Sequence, residues 1–94
     1  MVLEVAQLSI TPGSEEAFTA AYAEAVPQVA ATPGFRSARM TRGVESPSSF
    51  VLLIEWDSVE AHEVFRASER FGAWRALIGP HFAAPPHVEH FADV

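Results

Sequence analysis

Cysteine is absent from the 94-residue chain. That excludes a disulfide framework, a thiolate nucleophile and a thiolate-ligated metal. Lysine is absent too. All six basic residues are Arg, and the formal net charge is −6. An acidic surface repels phosphate backbones, so nucleic acid is not an expected partner. With no polybasic run, neither is an anionic membrane surface. No apolar stretch is long enough to span a bilayer, and Met1-Val2-Leu3-Glu4 has no basic leader ahead of an apolar core. A cytoplasmic location is therefore expected. The five glycines are isolated at 13, 34, 43, 72 and 79. Neither a dinucleotide fingerprint nor a phosphate-cradling loop can be built from them. No cofactor is expected, and no metal. His62-Glu63-Val64-Phe65-Arg66 opens like HExxH but carries Arg at the second ligand position. His87 and His90 lie three apart on a predicted strand and so point to opposite faces.

What the chain has in quantity is apolar surface. Hydrophobic residues make up 49% of the sequence, which marks it as globular. The length fits a single domain over residues 1–94, and a chain of this size buries only roughly two-thirds of its unfolded surface. Apolar excess in so small a chain points to an interface or a cavity.

Val2 to Ile10 reads as a strand. Thr11-Pro12-Gly13-Ser14 is turn chemistry with Ser14 as a candidate N-cap. Phe18, Ala21, Tyr22, Ala25, Val26 and Val29 then recur with the spacing of a one-sided helix. Pro27 inside it predicts a kink or an early end. Phe35 to Val44 and Phe50 to Trp56 are strands joined at Glu45-Ser46-Pro47-Ser48. Asp57 or Ser58 caps a further helix, Ser68 permits a fresh start, and Gly79-Pro80 stops it. His81 to Pro86 is a loop and His87 to Phe91 a short strand. The order is βαββαβ, an α+β ferredoxin-like arrangement with a four-stranded antiparallel sheet and helices on one face. Phe50-Val51-Leu52-Leu53-Ile54 is apolar on both faces and needs cover on both. The domain's own helices cover one face. The other calls for a second copy, so a homodimer is expected.

The residues left to carry chemistry are aromatic and imidazole groups: Trp56, His62, Phe65, Trp74, His81 and Phe82. Trp56, Phe65 and Trp74 fit core packing, and a buried Trp still needs a partner for its N–H. Read as function, the same set lines a dry pocket holding a few donors. His62 and Arg66 are one turn apart and share a helix face, a pattern commonly found in solvent. Arg36 and Arg42 fall on one face of their strand and Arg39 on the other, where ion pairs with carboxylates are expected.

The stretch Trp56-Asp57-Ser58, Ala61-His62, Phe65-Arg66, Ser68, Phe71 and Trp74-Arg75, followed by Pro85-Pro86, Val88 and His90-Phe91, resembles the antibiotic biosynthesis monooxygenase family. Pro33-Gly34-Phe35 agrees more weakly. The resemblance implies homodimers in which two sheets form an α+β barrel with helices outside. It also implies oxidation of electron-rich aromatics (phenols, anthrones or quinols) with O2 and no metal or flavin. A haem-degrading branch uses an Asn–Trp–His set. In this chain those positions fall near Ala6, Phe65 and Arg75, and none is kept. On this reading His62 or His81 is the base, Trp74 or Arg75 donates to a developing oxyanion, and Trp56, Phe65, Phe71 and Phe82 bind the small aromatic substrate. The alternative is a small-molecule binder, or a dimeric accessory protein of the same fold, without catalysis.

Overall fold

A computed structural model describes every residue from Met1 to Val94. The strands are β1 (Val2–Ser9), β2 (Phe35–Arg42), β3 (Ser49–Trp56) and β4 (His87–Phe91), and the helices are α1 (Glu15–Ala30), α2 (Val59–Arg66) and α3 (Glu69–Ile78). The sheet is antiparallel with order β2-β3-β1-β4. That is the ferredoxin-like α+β arrangement expected from the element order. No helix is long and apolar enough to cross a membrane.

Strand periodicity assigns the two faces. In β1 the even-numbered Glu4, Ala6 and Leu8 are buried, and in β3 so are Phe50, Leu52, Ile54 and Trp56. These lie under the helices with Phe18, Val29, Phe65 and Ile78. The odd-numbered Leu3, Val5, Val51 and Leu53 point the other way, joined by Phe91 from β4. The molecule is only 19 Å through its shortest axis. That is one sheet plus one helix layer, so nothing in the chain covers this second apolar face.

Local chemistry accounts for most boundaries. The Ser58 hydroxyl accepts from the Ala61 N–H at 3.2 Å and starts α2. The break after Arg66 occurs where expected, but the Ser68 hydroxyl donates to the Phe65 carbonyl at 2.7 Å, closing α2 without capping α3. Ser14 precedes α1 without a side-chain cap. The Glu15 carboxylate instead accepts from the Gly13 N–H at 2.9 Å. Pro27 does not end α1, which runs on to Ala30. The loss is one N–H bond near the terminus, and the Ala31 N–H bonds the Pro27 carbonyl to finish the turn. β1 stops at Ser9, and Ile10 makes an isolated bridge to Phe82.

Arg39 and Arg42 fall on opposite faces of β2 as expected, and Arg36 lies at a register shift between Phe35 and Ser37. Arg36 pairs with Asp57 at 2.6 Å and Arg42 with Glu16 at 3.2 Å, both exposed. Arg39 sits opposite Leu53 on the uncovered face. Gly34 leads into β2 at φ +90°, and a Cβ built there would stand 2.6 Å from the Ala61 Cβ. The Gly34→Ala variant is therefore expected to lose about 2 kcal/mol from left-handed strain and crowding against α2. Urea denaturation at fixed protein concentration checks this, and an unchanged midpoint would refute it.

Candidate functional site

A cavity of about 430 Å³ lies between the covered face of the sheet and the helix pair α2–α3. Its floor is Glu4, Ala6 and Leu8 from β1 with Leu52 and Ile54 from β3. His62, Phe65 and Arg66 of α2 and Phe71, Trp74, Arg75 and Ile78 of α3 form the opposite wall. Phe82, Pro86, His87 and Val88 close the side. The alanine at position 6 leaves space in the middle of β1 where its neighbours carry larger side chains. The volume suits a small organic molecule.

The polar groups gather at one end. Glu4 and His62 are each only 5% exposed. The Trp56 indole N–H donates to Glu4 Oε1 at 2.9 Å, and His62 Nε2 lies 3.4 Å from the same oxygen. His62 Nδ1 is 2.7 Å from His90 Nε2. The His62 ring also stacks on Trp56, with centroids 5.3 Å apart and planes 14° from parallel. The result is a line from Trp56 through Glu4 and His62 to His90. Because His62 uses its two nitrogens in opposite directions, these groups do not converge on a point where a metal could sit.

Burial sets the charges. It holds the His62 imidazole down to about 4, helped by the neighbouring His90 and Arg66. It also raises the Glu4 carboxyl, against the opposing pull of the Trp56 N–H and Arg66. Desolvation outweighs the attraction between the two. His62 is therefore neutral at pH 7, and the 3.4 Å approach to Glu4 is not an ion pair there.

Farther along the wall, the Arg75 guanidinium lies 5.9 Å from the Phe71 ring centre and 5.5 Å from that of Phe82. Neither Arg66 nor Arg75 is in an ion pair. The Trp74 indole N–H has no acceptor within the chain, yet no fully buried polar atom lacks a partner. That N–H is thus not sealed in the core, and Trp74 lines the cavity.

The structure thus brings His62, Trp74, Arg75, Phe65, Phe71 and Phe82 to one cavity. His81 is elsewhere: it sits in a single 3-10 turn after α3, its ring 6.3 Å from Phe18, outside the lining. Trp56 does not line the cavity either. It is fully buried and touches the site through Glu4 and His62. His62 does not share a solvent-facing surface with Arg66, because α2 turns His62 and Phe65 inward. Sequence reasoning missed Glu4 and His90. A signal existed for Glu4: it occupies the buried phase of an otherwise apolar strand, where a carboxylate is out of place.

Residues 1–77 match the sequence profile of the antibiotic biosynthesis monooxygenase family. YczJ, an uncharacterized protein of Bacillus subtilis (strain 168), is 36% identical over 95 residues covering 100% of both chains. A crystal structure from Bordetella bronchiseptica that bears the same family name is 36% identical, with a TM-score of 0.95 over 99% of this chain and 96% of that one. SnoaB, a cofactor-independent oxygenase from Streptomyces nogalater, shares the fold at 18% identity, with a TM-score of 0.86 over 99% of this chain and 92% of its own.

Proposed function

Because the chain belongs to the antibiotic biosynthesis monooxygenase family, we propose that it oxidises an electron-rich aromatic molecule of phenol, anthrone or quinol type with O2, inside the α2–α3 cavity and without a cofactor. The observation that carries this reading is a cavity with a mostly apolar lining that ends in a Glu4–His62–His90 line, buried at Glu4 and His62, with Trp74 and Arg75 on its wall. Such chemistry asks little of a protein. A deprotonated phenol or carbanion can pass an electron to O2 directly. The site must remove a proton, exclude bulk water and stabilise the developing oxyanion. The buried polar set around His62 supplies the proton acceptor. Trp74 N–H and the Arg75 guanidinium supply donors, and Phe65, Phe71 and Phe82 give a flat ring its apolar contacts. SnoaB, named as a cofactor-independent oxygenase, has this fold, which can accommodate the same chemistry.

The working form in this reading is a homodimer joined sheet to sheet. The uncovered face bearing Leu3, Val5, Val51, Leu53 and Phe91 supports it, as does the 19 Å thickness that leaves this face without a second layer.

The test is to incubate metal-stripped protein with an anthrone or a dihydroxynaphthalene, in air and under nitrogen, subtracting autoxidation. Turnover is expected in air only and is expected to be indifferent to chelator. A rate no higher than autoxidation across a panel of such compounds would refute the oxygenase and leave a small-molecule binder.

A further inference from the structure

We propose that Glu4 is the general base of this site, and that His62 and His90 are positioning residues that hold its carboxylate. The proposal deepens the oxygenase reading and rests on it.

Hydrogen-bond geometry carries the assignment. Both approaches to Glu4, from the Trp56 N–H at 2.9 Å and from His62 Nε2 at 3.4 Å, fall on Oε1. No hydrogen bond falls on Oε2. Since no fully buried side-chain oxygen lacks a partner, Oε2 is accessible, and the space beside Glu4 is the cavity it lines. His62 has no such freedom. Next to an ionised carboxylate its proton belongs on Nε2, where it faces Oε1. Nδ1 then accepts from the His90 Nε2–H at 2.7 Å. In that tautomer neither ring nitrogen offers a free lone pair to a substrate. The suppressed basicity of His62 and the raised basicity of Glu4, both products of burial, point the same way. The ionisable groups around Glu4 are His62 and Arg66 from α2 and His90 from β4, with Arg75 of α3 and His87 of β4 on the same cavity. The Trp56 N–H approaches from β3.

The chemistry balances for an anthrone. Glu4 Oε2 takes one proton from the methylene carbon, and the charge left behind delocalises onto the anthrone carbonyl oxygen, for which Trp74 and Arg75 on the same cavity are the donors. The carbanion passes one electron to O2, and the resulting radical pair combines into a carbon-bound peroxide. Glu4 returns its proton to that peroxide. Loss of the second C–H proton with cleavage of the O–O bond leaves a carbonyl and one water, so that CH2 and O2 become C=O and H2O.

The proton-transfer step can be measured without oxygen. Under nitrogen in D2O, wild-type protein is expected to accelerate deuterium exchange at the anthrone methylene, followed by NMR against a protein-free control. Glu4→Gln keeps the acceptor for the Trp56 N–H but is not basic. It is expected to lower the exchange by about a hundredfold or more. His62→Ala is expected to leave appreciable exchange while moving the pH at which it sets in. Exchange by Glu4→Gln within about threefold of wild type, with His62→Ala inactive, would overturn the assignment and make His62 the base. If Glu4→Gln does not fold, Glu4→Asp carries the test. Its withdrawn carboxylate is expected to slow exchange about tenfold, and an unchanged rate overturns the proposal. Absence of any acceleration by the wild type also overturns it. Exchange that depends on Glu4, with no oxidation in air, supports the base and refutes only the oxygenase.

Discussion

Leu53→Asp should convert the dimer to a monomer at micromolar concentration. Leu53 lies mid-strand in β3, between Val5 on β1 and Arg39 on β2, on the face no helix covers. In a sheet-to-sheet dimer related by twofold symmetry the substitution enters the interface twice. Each new carboxylate would lose its water without a guaranteed partner, at a cost of about 3–5 kcal/mol. In the separated chain the same Asp is half in water and has Arg39 opposite it, so the monomer is not penalised. Sedimentation velocity at several concentrations is the measurement. The expected result is a dimer for the wild type and a monomer for the variant, with the dissociation constant raised at least a hundredfold (about 2.7 kcal/mol). Identical sedimentation of the two proteins would rule out this interface, as would a monomeric wild type.

The second large effect concerns acid. His62 titrates near 6.5 in the unfolded chain and is held to about 4 in the folded one. Between those values the unfolded state binds a proton that the folded state refuses. The contribution of His62 is therefore intact above pH 6.5 and is lost as pH falls toward 4, by about 3 kcal/mol. Glu4 works in the opposite sense. Its carboxyl is raised in the folded state, so the cost of burying its charge fades as pH falls. Wild type alone therefore shows the sum of the two. The difference between wild type and His62→Gln isolates the imidazole, and that difference should shrink by about 3 kcal/mol between pH 7 and pH 4. Urea denaturation of both proteins at one fixed concentration measures it. A difference independent of pH would mean that His62 protonates freely in the folded state.

The architecture was readable because it rests on local signals that tertiary structure had no reason to override. The apolar spacing from Phe18 to Val29 settled α1, the Ser58 cap and the Ser68 break divided α2 from α3, and the two-faced run Phe50–Ile54 exposed the missing layer. Pro27 misled because its cost depends on how many hydrogen bonds remain beyond it, and only one turn did. The site was read in part. The aromatic wall of the cavity follows from helix periodicity at Phe65, Phe71 and Trp74, whereas Arg75 entered through the family resemblance. Glu4 and His90 were not found because they meet His62 only through strand pairing, with Glu4 opposite His90 in register. Nothing in either local segment signals that meeting. His81 was misplaced for a related reason. Spacing along the chain brings it close to Trp74 and Phe82, but the turn after α3 directs its ring toward α1.

β1 and β4 hold the two ends of the chain side by side, with Leu3 opposite Phe91. The polar line of the candidate site therefore joins strands that lie far apart in the sequence. Glu4 and Trp56 are 52 residues apart, and His62 and His90 are 28 apart. Without β4, β1 would have no neighbour on that edge and His62 no His90 at its Nδ1. The surroundings of the Glu4 carboxylate are thus complete only once β4 has paired with β1. A chain cleaved ahead of β4 would keep all three helices and lose His90 from beside His62.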